Sequence, residues 1–593
     1  MGRRQMTILD REALGNGNTA RRLIENKIPS RVGAQDASVY AFSPEARATA
    51  ENRMGWATLA SMPPRDPAEI AVLAQQARCE GLDAVVLIGQ GGSTQAPQTI
   101  TKLHSLEVTD EIPFRTMDSI SPVYVNHILG SSDPARTLYI VSSKSGSTLE
   151  PTVLSHVAWS YVCAHLGADR AGRRFIAITD PGSQLEQVAR RDGWRAVIHG
   201  EPNVGGRYSA LSVFGLMPMA CVGIDVEGVL SRAAQTERLC ASDSPDNPAL
   251  QLACFLYDNY CQGRDKFSLL MPPQSQVFGL WVEQLVAESL GKRGVGILPN
   301  IEVDAGILSD PLPDRCVILC NSGNDRAYEH ARTCLHPSIP AMRLDIIDSD
   351  DIAEHFLIWE YAVAFCGWLM RVDPFDQPDV ESTKKAVKQI LYGDGGAYEV
   401  PLDPQGNPAY VEYPCAEGTI VDSVFVSSAL LGRMNRTDKV DLARALRTLF
   451  YSIGDGDYFS LNAFLPFKGI GRRETLERIR HRVADRLQAC SCLEIGPRYL
   501  HSTGQLHKGG PDSGVFLVVS SREAYDMMVP HEGFTLGEVA NAQALGDFGA
   551  LASRGRRAVY VRLKDNDSEY LQLLADAACS AVSATYAFRR NGE

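Results

Sequence analysis

The chain has 593 residues, 45% of them hydrophobic and 22% charged, with a formal net charge of −13. That length exceeds what one hydrophobic core organises and predicts about three to four domains of ordinary globular composition. The acidic balance argues against nucleic acid or an anionic membrane as partner, but leaves room for a local basic pocket that takes a phosphate.

The N-terminal MGRRQMTILD has no apolar core of the signal-peptide kind, and Met6 stands where a myristoylation motif requires Ser or Thr. The first 60 residues read as helical, with one helix expected from the cap pair Ser43-Pro44 to about Leu59. From Pro67 a strand–helix rhythm begins, with apolar strands at 84–88, 138–141, 175–179 and 196–199. The first three each run into a polar or glycine turn and then a helix, as in a parallel sheet covered on both faces. A second set starts near Asn247, with strands at 267–271, 316–320 and 342–346 and a long closing helix at 352–370. Residues 356–370 come nearest to a membrane span, but Glu360 interrupts them and a buried helix is the reading. A Gly/Pro-rich stretch at 393–414 looks like a linker. Beyond it, strands at 458–464, 515–519 and 558–563 and helices at 473–488 and 568–584 make a third unit. The expected division is an N-terminal helical region (1–60), two similar α/β domains (61–235 and 236–395) and a C-terminal α/β domain (396–593). The 14 cysteines are scattered without a CxxC pair, which predicts free thiols in a reducing, cytoplasmic compartment.

The segment YIVSSKSGSTLE carries the most chemistry: a buried strand ends in Ser143-Lys144-Ser145-Gly146-Ser147-Thr148 and a helix follows. A phosphate there would meet helix N-terminal amides, a positive dipole end and several hydroxyls. A merely capped turn needs one Ser or Thr; four hydroxyl residues, a Lys and a Gly in six positions exceed that. The earlier turn Gly89-Gln90-Gly91-Gly92-Ser93-Thr94 has Thr94 where a dinucleotide loop wants its last glycine. Two oxyanion-friendly turns at successive strand ends suit a monophosphate better than a pyrophosphate, so nicotinamide binding is a minor alternative. In Asn203-Val204-Gly205-Gly206-Arg207-Tyr208-Ser209 the glycines allow close backbone approach, and Arg207 offers a fork of donors to an oxyanion. A salt bridge to a helix end is the commoner use of an arbitrary arginine. Gln284 and Glu288 lie four apart on one face of a helix ended by Gly291, with Glu283 as a competing carboxylate.

The motifs GGS (91–93), SKSGST (143–148), ITDPGSQLEQVA (178–189), NVGGRYSAL (203–211), EQLVAESLGK (283–292) and PFDQPDVESTK (374–384) occur in the order seen in glucose-6-phosphate isomerases, which the chain resembles from about Ala84 to Lys385. RYLHSTGQLHKGGPDSGVFL (498–517) and NAQALGDFGAL (541–551) resemble the isomerase half of bifunctional transaldolase/glucose-6-phosphate isomerases. The resemblance implies an α/β fold of two flavodoxin-like SIS domains with parallel sheets plus a C-terminal α/β domain. It also implies a cytoplasmic aldose–ketose isomerase of glycolysis and gluconeogenesis, with a small sugar phosphate as substrate and no cofactor.

Carried over by position, Ser143, Lys144, Ser145 and Thr148 would hold the phosphate, Gly92 and Ser93 would lie against the sugar, and Gln284 and Gln377 would contact it. Glu288 would move the proton between C1 and C2, Arg207 would stabilise the enediolate, and Lys384 would assist ring opening. The ring-opening histidine departs from the bacterial pattern. None of His330, His336 and His355 has an LHSxGQ setting, whereas Leu500-His501-Ser502-Thr503-Gly504-Gln505 does, with His507 as competitor. Isomerisation through a cis-enediol needs an acid/base, one carboxylate and a cation, and none of these steps requires a metal. A homodimer is expected by analogy with the fold family. Two rivals stand beside this reading: a mannose-6-phosphate or dual-specificity isomerase on the same residues, and a non-catalytic SIS sensor. A sensor would need only the phosphate loop.

Overall fold

The computed structural model describes residues 6–8, 17–109, 111–302, 304–323, 326–393, 398–434, 440–466 and 472–591. Residues 1–5 and 9–16 of the expected N-terminal helical region, and 394–397 of the expected linker, lie outside the described residues. The chain forms two units, one of residues 1–118 and 128–377, the other of residues 119–127 and 378–593.

The first unit holds two five-stranded sheets. An N-terminal strand β1 (Met6–Ile8) is followed by β2 (Ala84–Gly89), β3 (Phe114–Met117), β4 (Thr137–Ser142), β5 (Phe175–Thr179) and β6 (Ala196–His199). Strands β2 to β6 are all parallel, in the order β3-β2-β4-β5-β6. Next come β7 (Lys266–Leu270), β8 (Leu298–Glu302), β9 (Arg315–Asn321) and β10 (Ala341–Asp345), parallel in the order β8-β7-β9-β10. β1 closes this second sheet by pairing antiparallel with β10, Met6 opposite Leu344. In both sheets the first strand lies between the second and the third, so the winding reverses there; a ligand crevice opens outside the carboxyl ends of such strands. β4 and β5 are buried along their whole length, as apolar runs covered on both faces should be.

The α/β class expected from the strand–helix rhythm is the one observed, and the differences have physical causes. Sequence reading passed over β1 and the edge strands β3 and β8. Phe-Arg-Thr-Met in β3 is short and half-buried, and Pro299 in β8 is tolerated because an edge strand needs fewer ladder donors. The helix capped by Ser43, whose side chain accepts from the Ala46 amide, ends at Glu51 and not near Leu59. Met54 and Gly55 leave it to bridge Val204 and the Asn203 carbonyl, where a helix could not reach. Helix Ser349–Met370 runs through the core with Glu360 only 1% exposed, and burial pushes that carboxyl well above its ordinary range.

The second unit has one mixed sheet: β11 (Tyr410–Pro414), β12 (Val421–Ser427), β13 (Tyr458–Phe464), β14 (Cys490–Ile495), β15 (Gly514–Ser521) and β16 (Arg557–Leu563). Their order is β11-β12-β16-β15-β13-β14, with β13 to β16 parallel and β11 and β12 antiparallel at one edge. Phe459, Leu461 and Ala463 of β13 join the apolar core, while Ser460 and Asn462 alternate onto the other face. Part of the stretch read as a linker is thus strand β11, an edge position that accepts Pro414. β14, Cys-Ser-Cys-Leu-Glu-Ile, escaped because its alternation is of cysteines and polar residues. Among the described residues no helix is long and apolar enough to cross a membrane.

Candidate active site

Both expected phosphate turns leave the first sheet at its winding reversal, since β2 pairs β4 with Gly89 opposite Ser142. After β2, Gly91 adopts φ 55°, a conformation glycine takes without strain, and helix Gly92–His104 starts. A Cβ on Gly92 would lie 2.0 Å from the Gly206 carbonyl oxygen, so glycine is what lets this turn touch the Gly206-Arg207 backbone. Gln90 anchors the turn by donating to the Asp118 carbonyl at 2.6 Å.

After β4, the Gly146 amide bonds the Ser143 carbonyl at 3.1 Å and Gly146 turns at φ 66° before helix Leu149–Leu166. Thr148 is the N-cap, yet its hydroxyl caps no amide; it lies 3.4 Å from the Ser145 hydroxyl. A turn serving capping alone would use that hydroxyl inward. Ser143 is buried, and its hydroxyl has no hydrogen-bond partner. Lys144 is placed differently from its neighbours. Its ammonium donates to Asp180 Oδ1 at 2.8 Å and to the Glu201 carbonyl at 2.7 Å, tying the turn to the ends of β5 and β6. Burial lowers its pKa, opposed by Asp180.

The proton-moving candidates meet on the helix Gln276–Leu290, where Glu288 is 8% exposed. Arg207, 3% exposed on the short 3-10 turn Gly206–Tyr208, places Nη1 3.2 Å from Glu288 Oε1. Gln284 Nε2 donates to Glu288 Oε2 at 3.1 Å, so both carboxylate oxygens are held. The Arg207 fork is fully employed: Nε to Ser289 Oγ (2.7 Å), Nη1 to Gln377 Oε1 (2.7 Å), Nη2 to the Pro374 and Asp376 carbonyls (2.7 and 2.9 Å). Tyr208 stacks on Trp56, ring centroids 5.0 Å apart, which gives the arginine turn a rigid floor. Of the two competing carboxylates, Glu288 and not Glu283 is the one Arg207 and Gln284 meet.

Thus Arg207, Gln284, Glu288 and Gln377 form one cluster, and Gly92, next to Ser93, abuts its arginine turn. Sequence reading missed Ser289 and Lys292. The signal was present, as they follow Glu288 by one and four residues in the same motif. His355 bonds the Asp345 carbonyl at 2.8 Å from inside the core, and His330 and His336 pair with Cys334 and Ser338.

Lys384 and His501 belong to the second unit. Lys384 is on helix Glu381–Tyr392 and pairs with Glu381 at 2.6 Å. His501 ends the 3-10 turn Arg498–His501 and is half-buried. Its competitor His507 is buried among Tyr458, Tyr499 and Phe516, and neither ring nitrogen has a hydrogen-bond partner. Burial, with Lys508 and Arg556 nearby, lowers its pKa well below the usual value. Among the described residues no three His, Cys, Asp or Glu side chains are grouped to hold a metal ion.

The phosphoglucose isomerase family model matches residues 75–303. A glucose-6-phosphate isomerase of Synechococcus sp. (strain JA-3-3Ab) is 30% identical over 376 residues, covering 54% of this chain and 68% of that protein. That of Mycoplasmopsis pulmonis is 29% identical over 361 residues, covering 53% of this chain and 83% of its own. Among solved structures, a glucose-6-phosphate isomerase from Chlamydia trachomatis is similar in fold, with TM-score 0.54 and 18% identity over 65% of this chain and 87% of that one. A hypothetical protein from Thermus thermophilus has the same TM-score at 23% identity, covering 65% of this chain and 99% of its own.

Proposed function

This chain belongs to the phosphoglucose isomerase family, and we propose that it interconverts glucose 6-phosphate and fructose 6-phosphate through a cis-enediol(ate). The observation that carries this reading is the Arg207–Glu288 pair with Gln284 on the second carboxylate oxygen. A base held at both oxygens has its geometry set before substrate arrives, and in this reading the adjacent guanidinium lends its positive charge to the oxyanion that develops beside the base. A sensor of sugar phosphates would need no such pair.

In this reading the hydroxyls of Ser143, Ser145 and Thr148 take the phosphate, and Lys144 belongs to the same turn. Gly92 and Ser93 lie against the sugar, and Gln284 and Gln377 contact it. Glu288 removes the proton from one of C1 and C2 and returns it to the other. Arg207 stabilises the negative charge that builds on the oxygen between the two transfers. Lys384 and His501 are assigned to ring opening on their motifs. The buried setting of His507, with no hydrogen-bond partner on either ring nitrogen, supports the choice of His501. A cytoplasmic homodimer is part of the same proposal.

The direct experiment incubates fructose 6-phosphate with the enzyme alone, stops the reaction and then measures the sugar phosphates present. Glucose 6-phosphate should form without added nucleotide. Formation of mannose 6-phosphate alone would move the assignment to the epimeric isomerase, because a C2 epimer uses the same proton path. For ring opening, His501→Ala should slow the closed-ring substrate about 10²-fold or more, and an open-chain analogue far less. Equal slowing of both would remove His501 from that step.

A further inference from the structure

Among the described residues, Lys292 is the buried lysine beside the cluster to which the isomerisation gives no task. It lies just past the helix that carries Glu288. Its backbone is fixed: Lys292 and Val295 exchange both amide–carbonyl bonds, at 3.0 and 3.2 Å, across Arg293 and Gly294. Those two residues have φ 57° and 78°, the signature of a tight two-residue turn of the primed kind. A non-glycine residue at positive φ is costly, so Arg293 is held there by the surrounding structure.

The turn aims the Lys292 side chain into the protein, where it is 1% exposed. An ammonium has three donors, and here all three are used. They go to the Asp373 carbonyl (2.6 Å), the Asp376 carbonyl (2.6 Å) and Asp376 Oδ1 (2.5 Å). Arg207 reaches the same segment through the Pro374 and Asp376 carbonyls and Gln377 Oε1. The Asp376 carbonyl is therefore shared by the two cations.

We propose that Lys292 is a positioning residue that clamps the 373–377 turn to the Glu288 helix, and so sets Gln377 and Arg207 for the reaction. The inference rests on the isomerase reading and assigns this lysine no contact with substrate. The charged groups facing it are Arg207 from the 3-10 turn and Asp373 and Asp376 from the clamped turn. Burial, then Arg207, lower its pKa to about 8, while Asp376 and Asp373 oppose that fall. The clamp is thus charged well below pH 8, half-charged near it, and loosens as the ammonium loses its proton.

The test is the pH dependence of kcat/KM for fructose 6-phosphate, from about pH 6 to about pH 10, in wild type, Asp376→Asn and Lys292→Met. Wild type should lose activity on an alkaline limb near pH 8. Asp376→Asn removes a carboxylate that favours the charged ammonium, so the limb should move down by about one pH unit. That side chain is 34% exposed, so the variant should fold. Lys292→Met should be about tenfold or more slower at neutral pH and lack the limb. Should Lys292→Met not fold, Asp376→Asn decides alone. A limb that stays in place in Asp376→Asn, or that survives in a folded Lys292→Met, overturns the inference. A wild-type chain with no isomerase activity at any pH overturns the functional reading instead.

Discussion

Replacing Glu288 by Gln is expected to cut turnover by about 10²–10⁴-fold or more while leaving sugar-phosphate binding nearly intact. The amide keeps the shape of the carboxylate but cannot take a proton from carbon. Its oxygen can still accept from Arg207 Nη1, as Glu288 Oε1 does now at 3.2 Å. Its new N–H groups have an acceptor within the cluster, because Gln284 Oε1 is buried without a hydrogen-bond partner and the Gln284 amide can turn. The loss should therefore fall on kcat. The inhibition constant of a non-isomerisable sugar-alcohol phosphate should change by no more than about threefold. Near-normal turnover in this variant would move the base to Glu283 or end the single-carboxylate mechanism.

The second large effect is expected at Arg207. Lysine in its place keeps a positive charge but not the planar fork, which here spans Ser289, Gln377, two carbonyls and Glu288. A point charge cannot satisfy all of these at once, so kcat/KM should fall by about 10²–10³-fold, as when a developing oxyanion loses a donor. Arg207→Met goes further and leaves Glu288 as a buried charge without its cation, a change that typically costs about 3–5 kcal/mol. Thermal unfolding separates the two losses. Arg207→Lys should lose activity well before it loses fold, and Arg207→Met should lose both. An Arg207→Lys enzyme as fast as wild type would show that the fork is structural only.

Much of this arrangement was legible in the chain. The strand–helix rhythm located β2, β4 and β5 to within a residue at either end, because buried parallel strands are continuous apolar runs, and it located the edge strand β6 because Ala-Val-Ile is apolar too. The edge strands β3 and β8 were not legible for the converse reason, since half-buried edges mix polar residues and even proline. The short N-terminal strand finds its partner, β10, more than 300 residues away, which no local pattern can indicate. In the site, Arg207, Gln284 and Glu288 stood out because each lies in a dense motif. The direction of the Lys144 side chain did not. A lysine in a hydroxyl-rich turn reads as a phosphate ligand, and only the fold brings Asp180 and the Glu201 carbonyl to its ammonium. Lys292 sits in a legible motif, but its partners are 81 and 84 residues away, two main-chain carbonyls and the Asp376 carboxylate, and no local pattern joins them to it.

The central claim is proton transfer by Glu288 through an enediol, and solvent deuterium tests it most directly. Fructose 6-phosphate is equilibrated with the enzyme in D2O and the glucose 6-phosphate formed is examined at C2. A carboxylate that holds the migrating proton near solvent exchanges it, so deuterium should appear at C2 in wild type and be absent in Glu288→Gln over the same time. Full conversion with no deuterium at C2, even on prolonged incubation, would mean that hydrogen moves as a hydride directly between the two carbons. That result would contradict the assignment of Glu288 as the base.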